Sequence, residues 1–146
     1  MTNEEVVSLL NELIDANLDS AEGYQTAADA IDNVDYQLIF REHAQQRTEF
    51  VRELSELVRS YGGDPDQTGT MAGTFQRVWI NIKAALTGSD AAIMEECDRS
   101  EETMLVLYGD IIPQAVPEDV KALARTHLSY IRIAHERVHA LSVLID

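Results

Sequence analysis

One cysteine, Cys97, is too few for an intrachain disulfide, and no CxxC or Cys/His grouping marks a zinc knuckle. Three prolines and seven glycines among 146 residues exclude a collagenous or low-complexity chain and leave little to interrupt helices. Cations are also scarce: 11 Lys and Arg stand against 26 Asp and Glu, a formal charge of −15. Nucleic acid and anionic membrane are polyanions, so this balance argues against both as partners. It suits a solvated acidic surface, or a protein that gathers cations. No apolar run approaches the ~20 residues of a membrane span, so stable membrane insertion is not expected. The opening residues, Met1 to Glu5, lack the basic start and apolar core of a secretory signal, which makes the cytoplasm the expected compartment. No β-branched run alternates with period two, so no sheet is expected.

What is present is helical periodicity over nearly the whole chain, with apolar residues at 45%. One domain spanning residues 1–146 is expected, large enough for a core of its own. Thr2 and Glu5 form a capping box, and a first helix is predicted from about Asn3 to Ile31 along Val7, Leu10, Ile14, Asn17, Ala21, Tyr24, Ala28 and Ile31. Leu18 and Glu22 lie along one edge of that seam. A turn at Asp32 to Asp35 caps a second helix that runs to about Tyr61, where Gly62, Gly63 and Pro65 stop it. Ser89 and Asp90 cap a third helix to about Ile112, and Pro117 occupies the first position of a fourth that fills the remainder. Between the second and third lies a long link, Asp64 to Gly88, in which Thr70 to Leu86 is predicted as a short amphipathic helix with Trp79 buried. Two short links and one long one give two helical hairpins joined by a lengthwise crossover, so the expected fold is all-α: a ferritin-like antiparallel four-helix bundle.

The second helix carries an anomaly. Its seam reads Phe40, His43, Arg47, Phe50, Leu54, Leu57, Tyr61, and two of these are not apolar. A buried cation needs partners at its own depth. Counting from the turns puts Glu22, His43, Arg47, Glu101 and His127 within about one helical turn of each other, ~5 Å. Tyr24, Tyr108 and Tyr130 are near enough to donate hydrogen bonds. The favoured reading is a buried polar layer in which Arg47 joins Glu22 and Glu101 bidentately, with no cofactor and no catalytic residues. The alternative is a di-iron or di-manganese oxidoreductase or iron-handling protein, with Glu22, His43, Glu101 and His127 as ligands. Against it, no Glu-x-x-His pair lies at that depth: Glu42 and His43 are adjacent, Ala124 stands where a partner of His127 belongs, and the literal Glu136-x-x-His139 lies more than a turn above the layer, near the bundle end. A weaker metal candidate is His135, Glu136 and His139, where the two histidines have the i,i+4 spacing of a zinc pair.

Several segments together resemble a bacterial ferritin-like family of unknown function, distantly related to rubrerythrin. They are Asp19 to Tyr24 with Ala27 and Ala28, Arg47 to Phe50 with Glu53 and Leu54, Gly62 and Gly63, Gly69 to Trp79, and Ser100 to Glu102 with Tyr108. The likeness covers nearly the whole chain. It implies a ferritin-like bundle that self-associates as a homo-oligomer, and it carries no established reaction or ligand set.

Overall fold

The structure, a computed structural model, describes residues 1–65 and 88–145. Among them are four helices: α1 (Asn3–Ala30), α2 (Val34–Ser60), α3 (Asp90–Ile111) and α4 (Glu118–Leu144). There is no strand among the described residues. The predicted Thr70 to Leu86 helix and Trp79 lie outside them.

The helix starts are local chemistry. Thr2 and Glu5 exchange the two hydrogen bonds of the capping box, each 3.1 Å. Asn33 Oδ1 accepts from the amides of Asp35 and Tyr36, so α2 begins at Val34, inside the turn expected at 32–35. Ser89 Oγ accepts from Ala92 N at the head of α3. Pro117 proves to be the residue before α4 rather than its first member, because its ψ of 152° is extended. Two glycines finish α2. Gly62 adopts φ 80°, the left-handed region where a side chain is disfavoured, and Gly63 donates back to Val58 O. A Cβ at Gly63 would meet Val7 Cγ1 at 2.6 Å, so the end of α2 lies tight against the start of α1.

Long-range bonds set the topology. The Asp90 carboxylate accepts from the amides of Asp32 and Asn33, at 3.0 and 3.2 Å, which fixes the head of α3 beside the α1–α2 turn. Tyr61 Oη donates to Asp119, which fixes the end of α2 beside the head of α4. Helices α2 and α3 therefore start at the same end of the bundle and run parallel, with α1 and α4 antiparallel to them. Replacing Asp90 by alanine removes two charge-assisted bonds at an exposed turn. The expected cost is about 1–2 kcal/mol, read as a lower urea midpoint with unchanged helicity; no change would mean that this end is held by packing alone.

The apolar core falls into two clusters. One, at the α3–α4 turn end, gathers Leu10, Ile14, Phe50, Leu54, Met104 and Ile131. The other, at the α1–α2 turn end, gathers Tyr24, Ala28, Phe40, Met94, Cys97 and Val138. On α2 and α3 the residues between them are Arg47 and Glu101, both fully buried. No described helix is long and apolar enough to cross a membrane.

Candidate functional site

Arg47 and Glu101 meet in the middle of the bundle, where each side chain is 0% exposed. The contact is a bidentate fork: Nη1 stands 2.8 Å from Oε1, and Nη2 donates to Oε2 at 2.8 Å. Helix α1 completes the shell. Tyr24 Oη donates to Glu101 Oε1 at 2.6 Å, and Ser20 Oγ accepts from Arg47 Nη1 at 2.9 Å. Ser20 and Tyr24 are one turn apart, so they present to the same depth. Gln46 Oε1 accepts from the third nitrogen, Nε, at 3.2 Å. Desolvation works against the guanidinium's charge, but Glu101 beside it more than offsets that and raises its pKa. Tyr24 is pushed well up by burial and by the Glu101 charge, which keeps its hydroxyl a donor.

A second network lies toward the α3–α4 turn. Asn17 Nδ2 donates to Leu13 O and to Tyr108 Oη, both at 2.8 Å. The carbonyl of Leu13 can only accept, so that end of Asn17 must be the amide nitrogen. Tyr108 Oη, already accepting, then donates its own proton to His127 Nδ1 at 2.8 Å. The imidazole proton is left on Nε2, which donates to Glu53 Oε1 at 3.2 Å. Phe50 stacks on the imidazole, with ring centroids 3.8 Å apart. Burial, with the Arg47 charge adding to it, lowers the His127 pKa to about 3. His43 sits edge-on to Tyr24, its Nδ1 has no hydrogen-bond partner among the described residues, and burial lowers its pKa to about 4.

The placement departs from the expected layer in three respects. Glu22 is exposed and takes no part. It lies two residues from both Ser20 and Tyr24, about 200° around α1, so it faces away whenever they face in. His127 bonds to Tyr108, two turns beyond Glu101 along α3, and so belongs to its own network rather than to the Arg47 pair. Tyr130 is 50% exposed and donates to neither network. Ser20 was missed on sequence, and Asn17 was placed on the buried seam without its bonding partner, because nothing in their type distinguishes a buried partner from a tolerated core position. Glu53 was missed because it reads as one of many solvated acids.

The residues at the bundle centre do not fit a dinuclear metal centre. Both oxygens of Glu101 are engaged by Arg47, whose guanidinium fills the space between the helices. Both nitrogens of His127 are engaged as well, and Glu22 points to solvent. Cys97 is buried, and burial pushes its thiol up, away from the reactive thiolate.

A third grouping involves the weaker metal candidate. His135 and His139 converge with Asp98 of α3, while Glu136 is exposed and lies outside the group. Asp98 was not anticipated. The available signal was the matched i,i+4 spacing of Asp98 and Glu102 on α3 and of His135 and His139 on α4.

Residues 5–114 match the family model described as Domain of unknown function (DUF2383). The chain belongs to this family. The matched span carries Ser20, Tyr24, Arg47 and Glu101, whereas the histidines of α4 lie beyond it. No curated protein matches the chain. Among solved structures it is similar to a dodecameric thioferritin, the bacterioferritin-related protein from Bacteroides fragilis. The two share 15% identity at a TM-score of 0.76, over 96% of this chain and 85% of that one. At that identity the likeness shows the fold, which is ferritin-like. The DUF2383 chain is thus a ferritin-like bundle by architecture, with an Arg–Glu pair at its centre.

Proposed function

We propose that this DUF2383 protein is a non-enzymatic, self-associating ferritin-like subunit whose centre is held by the Arg47–Glu101 pair in place of metal ions. The observation that carries the reading is the saturation of Glu101: three protein donors take its two oxygens at 2.6 to 2.8 Å, in a site with no exposure. A carboxylate so engaged is a structural acceptor. A buried pair of this kind need not add net stability, but it fixes the register of the helices that carry it. Self-association is supported by large apolar side chains left on outer faces, among them Val106 at 63%, Tyr130 at 50% and Ile133 at 59% exposure. The ferritin-like neighbour from Bacteroides fragilis, itself a dodecamer, supports the same reading.

The test combines elemental analysis of protein purified without chelator with sedimentation velocity. A mass several times that of the monomer is expected, with no iron or manganese that depends on Glu101. About two iron or manganese ions per chain, lost on Glu101→Gln, would overturn the metal-free centre and favour the iron-handling alternative. A monomer across the micromolar range would remove the assembly half of the proposal.

A further inference from the structure

We propose a binding site for one divalent transition-metal ion at the seam of α3 and α4, built from Asp98, His135 and His139 with Glu102 as a fourth donor. The site is separate from the bundle centre and does not depend on what fills it.

The helices arrange these donors by simple periodicity. Asp98 and Glu102 are one turn apart on α3, and His135 and His139 are one turn apart on α4, so each pair presents on one face. The two faces meet. His135 Nε2 lies 3.2 Å from Asp98 Oδ1 and 3.8 Å from Glu102 Oε1, and His139 Nδ1 lies 3.2 Å from Asp98 Oδ2. Donor atoms of Asp98, His135 and His139 all lie within 4.8 Å of one another.

Orphaned polar atoms make this more than a chance meeting. Asp98 is only 9% exposed, and its Oδ1 has no hydrogen bond among the described residues; the same holds for His135 Nε2. These two atoms are 3.2 Å apart, yet they do not align as donor and acceptor. Donors about 2.0–2.1 Å from a tetrahedral zinc-class ion stand about 3.3 Å from each other. The spacing is therefore that of neighbouring ligands on a shared ion, and such an ion would satisfy both atoms. His139 Nδ1 does hydrogen-bond to Asp98 Oδ2, so a plain His–Asp contact is the rival account.

Charge and access agree. Two carboxylates and two neutral imidazoles balance a dication. Two neighbouring cations are engaged elsewhere: Arg99 with Glu95 and Glu96, and Arg137 with Glu42. Imidazole ligands select zinc, cobalt or iron over magnesium and calcium, which prefer all-oxygen shells. The His139 side chain is 56% exposed, so the site opens to solvent and an ion can reach it.

The experiment is a Co(II) titration of chelator-treated full-length protein, followed by its visible absorption bands and by displacement with Zn(II). One Co(II) per chain is expected, displaced by equimolar Zn(II) and not by millimolar Mg(II). His139→Gln, at an exposed position that does not endanger folding, and Asp98→Asn should each weaken Zn(II) binding by about a hundred-fold or more, since even outer-sphere losses cost 10–100-fold. Glu136→Gln, at the exposed residue outside the group, should leave it unchanged. Wild-type protein that gives no Co(II) bands, or Zn(II) affinity unaltered in both ligand variants, would overturn the site and leave the His–Asp contact as a hydrogen bond only.

Discussion

Replacing Arg47 with methionine should lower folding stability by about 3–5 kcal/mol, although methionine packs well in a core. The loss comes from what is left behind. Glu101 is 0% exposed and would keep only the Tyr24 hydroxyl of its present donors. Ser20 and Gln46 would lose their partner at the same time. Removing the stranded charge should restore much of the stability, so the Arg47→Met, Glu101→Gln double variant should be more stable than Arg47→Met alone. Urea denaturation at one fixed protein concentration measures both, because assembly would otherwise shift the midpoint. A single variant within about 1 kcal/mol of wild type would show that the pair is not the buried constraint described here. So would two single losses that simply add, since residues in direct contact should couple by 0.5–3 kcal/mol.

The same pair shows how much of this protein is legible in its sequence. Helix starts were readable because Thr2, Asn33 and Ser89 cap through bonds to residues two or three positions on, a purely local matter. Arg47 was readable because a cation on an apolar seam is an exception that demands an explanation. Its partner Glu101 followed from counting depth along a helix of known rise. Direction around the helix was harder. Glu22 has the right height and the wrong azimuth, and an error of one position in the seam of α1, Ala21 for Ser20, is enough to bring it in. The end of α2 drifted similarly: the buried residue is Val58, while Leu57 and Tyr61 are half-buried. Asp98 was the least visible. Glu95, Glu96 and Glu102 surround it in sequence, and only the arrival of α4 distinguishes it from them.

Acid should destabilise the fold through His127, and the sign follows from which state holds the proton. Burial and the Arg47 charge lower its folded-state pKa from 6.5 to about 3. Below pH 6.5 the unfolded chain takes up a proton that the folded chain refuses until about pH 3. Stability present above 6.5 is therefore lost as pH falls through that window, by about 1.4 kcal/mol per pH unit at most. The geometry gives the cause. A proton on Nδ1 would meet Tyr108 Oη, which already accepts from Asn17 and would have to turn its own hydrogen away from its acceptor. His43, lowered from 6.5 to about 4 by burial first and by Arg47, adds a loss of the same sign. Asp19 opposes them. Burial and the charges of Asp15 and Glu22 raise it from 3.8 to about 6, so its contribution to folding improves as pH falls between those values. His127→Gln separates these effects, because glutamine does not titrate. The variant should be less stable than wild type at pH 7, having lost the Phe50 stack and the Tyr108 bond. Its deficit should shrink by about 2–3 kcal/mol at pH 4.5, where wild type bears the cost of keeping the imidazole neutral. Parallel stability profiles for the two proteins, or an imidazole C–H resonance of His127 titrating near 6.5, would show instead that this ring accepts its proton as freely in the folded chain as in water.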